Sequence, residues 1–178
     1  MNTASNERSV TIVGTVHQIQ GATKVGWKNI DDPAYMNLLN QFLQGKDFVF
    51  EEASELGPTK AETLTEQLLG ANHYLDIDPH PDNRWAFGIG VTGKQFPIDP
   101  YSQITDFYNR EFEEEQFKRE SLWLDKITNT NFTNALLICG FPHSLSVTCR
   151  LRFAKFKVET WTYVPYLKLC PRPHSISP

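Results

Sequence analysis

The chain has 178 residues, 40% of them hydrophobic and 12% aromatic, with a formal net charge of −4. That length and composition predict one globular domain over residues 1–170, with a frayed Pro-rich tail at 171–178. Scattered Lys and Arg without a basic run argue against nucleic acid as the partner. No stretch approaches the roughly eighteen apolar residues that span a bilayer, and the polar start from Met1 to Ser9 has no signal-peptide core. A cytoplasmic location is therefore expected. Cys139, Cys149 and Cys170 lack CxxC spacing and are read as reduced structural thiols.

The first element is the β-branched run Ser9-Val10-Thr11-Ile12-Val13, which reads as a buried parallel strand stopped by Gly14. Asp31-Asp32-Pro33 marks a helix start, and Tyr35, Leu38, Leu39, Phe42 and Leu43 continue it at helical spacing until Gly45. Phe48-Val49-Phe50 is a second strand, which runs into Glu51 and Glu52. A helix is expected over 58–69, and then an alternating strand, Tyr74-Leu75-Asp76-Ile77-Asp78. Residues 80–100 should be mostly loop and 101–129 one long helix, with the acidic block Glu111 to Glu115 on its solvated face. Ala135-Leu136-Leu137-Ile138-Cys139 is the strongest strand, stopped by Gly140. A helix over 144–155 and a strand at Lys157-Val158-Glu159-Thr160 complete the order. Strands alternating with helices predict an α/β fold: a single domain with a mainly parallel central sheet covered by helices.

In such a sheet ligands sit beyond the carboxyl ends of the strands. Two of the best strands end in the same device, an apolar run followed by Gly-x-x-His: Gly14-Thr15-Val16-His17 and Gly140-Phe141-Pro142-His143. Glycine there allows either a turn with unusual dihedrals or a close backbone approach. A third instance, Gly70-Ala71-Asn72-His73, falls at a helix end, where glycine is ordinary C-terminal punctuation. Strands lie about 4.8 Å apart, so His17, His143 and a carboxylate from Glu51 or Glu52 can converge. Two imidazoles and a carboxylate can hold a catalytic metal with an open position for water. Without a metal, the same trio can supply a general base, an orienting carboxylate and an oxyanion stabiliser. Asp76, Asp78 and His80 form a second cluster. There, two carboxylates on one strand face could be an acid pair or a hard-metal site, or Asp78 could simply organise the turn at Pro79. Trp85, Trp123 and Trp161 read as core or rim residues.

With its two Gly-x-x-His motifs and the acid-terminated strand between them, the sequence resembles the Tiki/TraB superfamily, which includes erythromycin esterases and ChaN-like haem-binding lipoproteins. The motifs that carry the resemblance are Thr11-Ile12-Val13-Gly14-Thr15-Val16-His17, the Phe48-to-Glu51 strand, and Leu136 to His143. As an ordered pattern it extends from Val10 to Pro165. It implies a site made of His17, His143 and the acid directly after the apolar run, Glu51, leaving Glu52 to meet solvent, a helix N-terminus or Arg84. It also implies an arginine near the site, for which Arg84 in the Pro-rich loop is favoured over Arg119 on the long helix. Tiki members are metal-dependent peptidases, whereas erythromycin esterases open a lactone without a metal. The resulting expectation is a hydrolase acting on a small-molecule or peptide substrate. In it, His17, Glu51 and His143 hold Mn²⁺, Co²⁺ or Zn²⁺ or act directly on water, and Arg84 stabilises developing negative charge. The alternative is a non-catalytic ligand- or metal-binding module using the same pocket.

Overall fold

The alternation of apolar runs and amphipathic segments resolves into a parallel sheet with helices on both faces. The computed structural model describes residues 7–21, 30–53, 58–87, 89 and 110–165. Its strands are β1 (Ser9–Thr15), β2 (Phe48–Glu51), β3 (Tyr74–Asp76), β4 (Asn134–Gly140) and β5 (Lys157–Thr162). They lie in the order β3-β2-β4-β1-β5, and every adjacent pair is parallel. The helices are α1 (His17–Gln20), α2 (Pro33–Leu43), α3 (Lys60–Leu68), α4 (Pro81–Arg84), α5 (Arg110–Asn129) and α6 (Ser144–Phe153).

Local signals place the helix ends. Asp32 caps α2, its carboxylate accepting from the Ala34 and Tyr35 amides, and Pro33 takes the first helical position. Thr59 and Glu62 form a reciprocal capping box at the start of α3. Side-chain alternation along the strands divides the core in two. On one face Val10, Ile12, Phe50, Leu137 and Cys139 pack with Trp123 and Ile127 of α5 and with Val147 and Leu151 of α6. On the other, Val13, Val49, Leu136 and Ile138 pack with Ile19, Tyr35, Leu39 and Ala61 from α1, α2 and α3.

Several boundaries differ from the sequence reading. β1 runs one residue past Gly14, which pairs with Cys139 and Thr162, while β4 ends at Gly140, which is itself paired with Thr15. The third strand ends at Asp76, two residues early, because the Asp76 carboxylate accepts from the Asp78 and Ala53 amides and bends the chain. Part of the expected loop is short helix, α4 and a 3-10 turn at Trp85–Phe87. The expected helix residues 101–109, loop residues 88 and 90–100, the 171–178 tail and Cys170 lie outside the described residues. Cys139 is a buried free thiol, and Cys149 is free and exposed. Among the described residues, no helix is long and apolar enough to cross a membrane.

Candidate active site

The ends of β1, β2 and β4 meet at one point, and the two Gly-x-x-His histidines meet there with them. His17 opens α1 directly after Val16, and His143 closes a 3-10 turn (Phe141–His143) that leads into α6. The Nε2 atoms of both rings lie 3.6 Å from the same atom, Oε1 of Glu52. That is ion-pair range, but too long for a direct hydrogen bond.

Glycine makes this approach possible. Neither Gly14 nor Gly140 has a positive φ. A Cβ on Gly140 would stand 3.2 Å from both Glu52 Oε2 and His17 Nε2. A Cβ on Gly14 would lie 2.9 Å from the Ser144 Cβ and 3.1 Å from the Phe141 Cα. Of the two uses of glycine anticipated, close approach is the one at work. Gly140 also contributes its amide, which donates to Glu52 Oε2 at 2.7 Å.

Each imidazole is anchored through its other nitrogen. His17 Nδ1 lies 2.8 Å from Oε1 of Gln20, whose amide nitrogen is directed at the Glu52 carbonyl oxygen, 3.4 Å away. His143 Nδ1 lies 2.9 Å from Oε1 of Glu120. An amide oxygen and a carboxylate both accept, so both Nδ1 atoms carry hydrogen, and in the neutral rings both Nε2 lone pairs face inward. The His143 ring also packs edge-on against Trp123, with 4.9 Å between centroids.

The acid and the base that complete the site differ from the residues the sequence favoured. Glu51 follows Val49 on the α2–α3 face, where its Oε2 accepts from the Thr59 and Tyr74 hydroxyls and its Oε1 has no hydrogen-bond partner among the described residues. Burial, with a smaller push from the Asp76 and Glu62 charges, outweighs those two hydrogen bonds and lifts its pKa to about 8. Glu52 follows Phe50 on the opposite, α5–α6 face. Burial alone would raise its pKa, but His143, His17, the Arg119 guanidinium and the Gly140 amide prevail and hold it well below the usual carboxylate range.

Arg119, rather than Arg84, reaches the histidine-facing carboxylate. Its Nη2 donates to Glu52 Oε1 at 2.6 Å and to Asp78 Oδ2 at 2.8 Å, and its Nε donates to Asp78 Oδ1 at 3.0 Å. Arg84 stands one step further out, donating to Asp78 Oδ2 at 2.6 Å and to the Pro79 carbonyl. Trp123 Nε1 also donates to Asp78. Asp78 is thus the hub of a buried cation network, and Asp76 does not share its role. Burial raises the Asp76 pKa to about 6. A cavity of about 480 Å³ borders Asp78, with Phe87, Leu122 and Lys126 in its wall. His17, Glu52, Arg119 and His143 do not line it.

Comparison of the chain with family models, curated proteins and solved structures finds no match. The site therefore has to be read from its own geometry.

That geometry does not fit the metal set His17, Glu51 and His143, because Glu51 faces away from the two imidazoles. Glu52, which does face them, has Oε1 on a guanidinium and Oε2 on an amide, both positively polarised donors. Among the described residues, no group of three His, Cys, Asp or Glu side chains is arranged to hold a metal ion.

Sequence reasoning missed Glu120, and a signal for it was present. Trp123 and Ile127 mark the buried stripe of α5, and Arg119 and Glu120 extend that stripe four and three residues upstream. Charged residues where the periodicity calls for apolar ones need buried partners. Glu120 finds them in His143, Ser146 and Arg150.

Proposed function

We propose that the chain is a hydrolase that activates water between His17 and His143, without a metal, and acts on an ester- or amide-bonded small molecule or peptide. The observation that carries this reading is the convergence of two anchored imidazoles on one ionised carboxylate oxygen. A water between the two rings can direct one hydrogen to each inward-facing Nε2. One imidazole takes a proton as the water oxygen attacks the substrate carbonyl carbon, and the Glu52 charge offsets the positive charge that forms. The proton then passes to the departing oxygen or nitrogen as the carbonyl–heteroatom bond breaks, giving an acid and an alcohol or amine. Arg119, paired with Glu52 and Asp78, supplies a fixed positive charge beside the reacting centre. The Tiki/TraB resemblance enters this proposal with Glu52 in place of Glu51 and Arg119 in place of Arg84. It falls on the metal-independent side of that superfamily.

The test is hydrolysis of p-nitrophenyl esters and a peptide panel by the purified chain, with and without EDTA, beside His17→Ala and His143→Ala. Turnover that survives the chelator and is lost in both variants supports the proposal. Turnover abolished by EDTA and restored by Mn²⁺ or Zn²⁺ would overturn the metal-free mechanism. Saturable binding of the same compounds with no turnover would favour a binding module instead.

A further inference from the structure

The two histidines share one carboxylate but are backed differently. Behind His17 is the neutral Gln20 amide, and the His17 side chain is 23% exposed. Behind His143 is the Glu120 carboxylate, and the His143 side chain is 7% exposed. Glu120 is itself held from two further sides: Ser146 Oγ donates to its Oε1 at 2.6 Å, and Arg150 Nε lies 3.0 Å from its Oε2. Three groups on α6 and the turn before it therefore fix one side chain of α5. About one turn further along α5, the ring of Trp123 meets that of His143 edge to face.

From this asymmetry we infer that the two rings have separate tasks and that Glu120 divides them. His143, positioned by Glu120, takes the proton from water and later returns it, while His17 orients the water. This rests on the proposed hydrolysis. Both backing groups hold Nδ1 protonated, which puts the lone pair of each neutral ring on Nε2. Of these two Nδ1 partners, the carboxylate strongly offsets the positive charge of an imidazole that has gained a proton, and the amide dipole does so weakly. The balance of the step follows. The water O–H bond breaks, its proton goes to His143 Nε2, and its oxygen bonds to the carbonyl carbon. The second water hydrogen stays directed at His17 Nε2. When the carbonyl–heteroatom bond breaks, the proton leaves His143 Nε2 for the departing group. Glu120 touches neither water nor substrate, and it is a positioning residue.

The variants Glu120→Gln and Gln20→Ala separate the tasks, with p-nitrophenyl acetate as the probe and the ring N–H protons of histidine read by NMR. Glu120→Gln keeps an acceptor for Nδ1 and removes the charge. We expect its kcat to fall about 100-fold or more with KM little changed, while Gln20→Ala loses about 10-fold or less. In the parent, the His143 Nδ1 proton should resonate furthest downfield, as expected for donation to a carboxylate, and in Glu120→Gln it should move upfield. If Glu120→Gln does not fold, Ser146→Ala loosens Glu120 more gently. It should lower kcat a few-fold, again without a change in KM. Equal kcat losses in Glu120→Gln and Gln20→Ala would overturn the division of tasks, as would a parent His143 proton no further downfield than that of His17. The proton spectrum needs no turnover. If the parent does not hydrolyse the ester but shows the downfield His143 proton, the hydrolase reading fails and the Glu120–His143 pairing stands.

Discussion

Glu51 and Glu52 are adjacent, chemically identical and both buried, yet the fold gives them opposite protonation tendencies. Glu51 lies among Tyr35, Thr59 and Tyr74 on one face of the sheet, with hydroxyls but, among the described residues, no cation at its carboxyl, and its pKa rises to about 8. Glu52 lies on the other face among two imidazoles, a guanidinium and a backbone amide, and it is held ionised. A one-residue step along a strand exchanges one environment for the other. What decides is the chemistry brought to each face: α5 brings Arg119 and Glu120 to one, while Thr59 at the cap of α3 and Tyr74 at the start of β3 bring hydroxyls to the other. A buried carboxyl without a cation becomes an acid, and one with a cation becomes an anion.

The largest expected effect breaks this comparison directly. Glu52→Gln removes the charge that both histidines face and should lower turnover of a p-nitrophenyl ester about 1000-fold, whereas Glu51→Gln should stay within a few-fold of the parent. Initial-rate measurements on the two variants side by side decide it, and an inactive Glu51→Gln beside an active Glu52→Gln would restore the assignment first expected from the sequence.

Next in size is the contrast between the two arginines. Arg119→Met leaves Glu52 and Asp78 facing each other without the cation that bridges them, a loss of about 3–5 kcal/mol. Arg84→Met leaves Asp78 still held by Arg119 and Trp123, so about 1–2 kcal/mol is expected. Urea unfolding of both variants measures the gap. Equal losses would mean that Arg119 is not the keystone of the network.

The pH dependence of stability sharpens the comparison further. Glu51 is raised when folded, so its proton is shed first by the unfolded chain. Its contribution is whole below the unfolded pKa near 4.5 and is lost as pH rises towards about 8. Glu52 has the opposite sign: its contribution is present above that unfolded value and lost in acid. The Glu51 shift corresponds to something of order 4 kcal/mol. Relative to Glu51→Gln, the parent should therefore lose a few kcal/mol between pH 5 and pH 8. Unfolding curves for both proteins at the two pH values give the double difference, and an unchanged gap would mean that Glu51 is ionised in the fold.

How much of this was legible in the sequence follows the same line between local and non-local information. The sheet was legible because its strands are dense runs such as Ala135 to Cys139, and the start of α2 because Asp32-Pro33 carries its own cap. His17 and His143 were legible because each follows its strand at a fixed spacing. The choice of Glu51 went the other way because Phe48-Val49-Phe50 is apolar on both faces, so nothing local tells which face will meet α5. Arg119 and Glu120 were obscured for a similar reason. Each is an ordinary helix residue until it is placed four and three residues before Trp123, on a stripe whose other members are buried.

The smallest expected effects concern the third Gly-x-x-His, which is identical in pattern and different in physics. Gly70 has φ +97° and ends α3, with only the His73 ring, at 3.9 Å, near the place where a Cβ would be. Its reason for being glycine is conformation. Gly140 has φ −54°, a value open to any residue, and its reason is the crowd of Glu52 and His17 around it. His73 is exposed, with Nδ1 directed at the Asp47 carbonyl 2.8 Å away, far in the fold from the ends of β1 and β4. Gly70→Ala should therefore cost about 1 kcal/mol of stability through backbone strain and leave ester turnover unchanged. Gly140→Ala should do the reverse, lowering turnover well before it lowers stability, because the added methyl presses on the end of one flexible carboxylate and one imidazole. His73→Ala should shift neither quantity beyond about 0.5 kcal/mol or a factor of two, as for an ordinary surface substitution. Turnover and unfolding measured on all three variants provide the check, and a turnover loss in His73→Ala matching that of His17→Ala would mean that the motif, rather than its placement, carries the function.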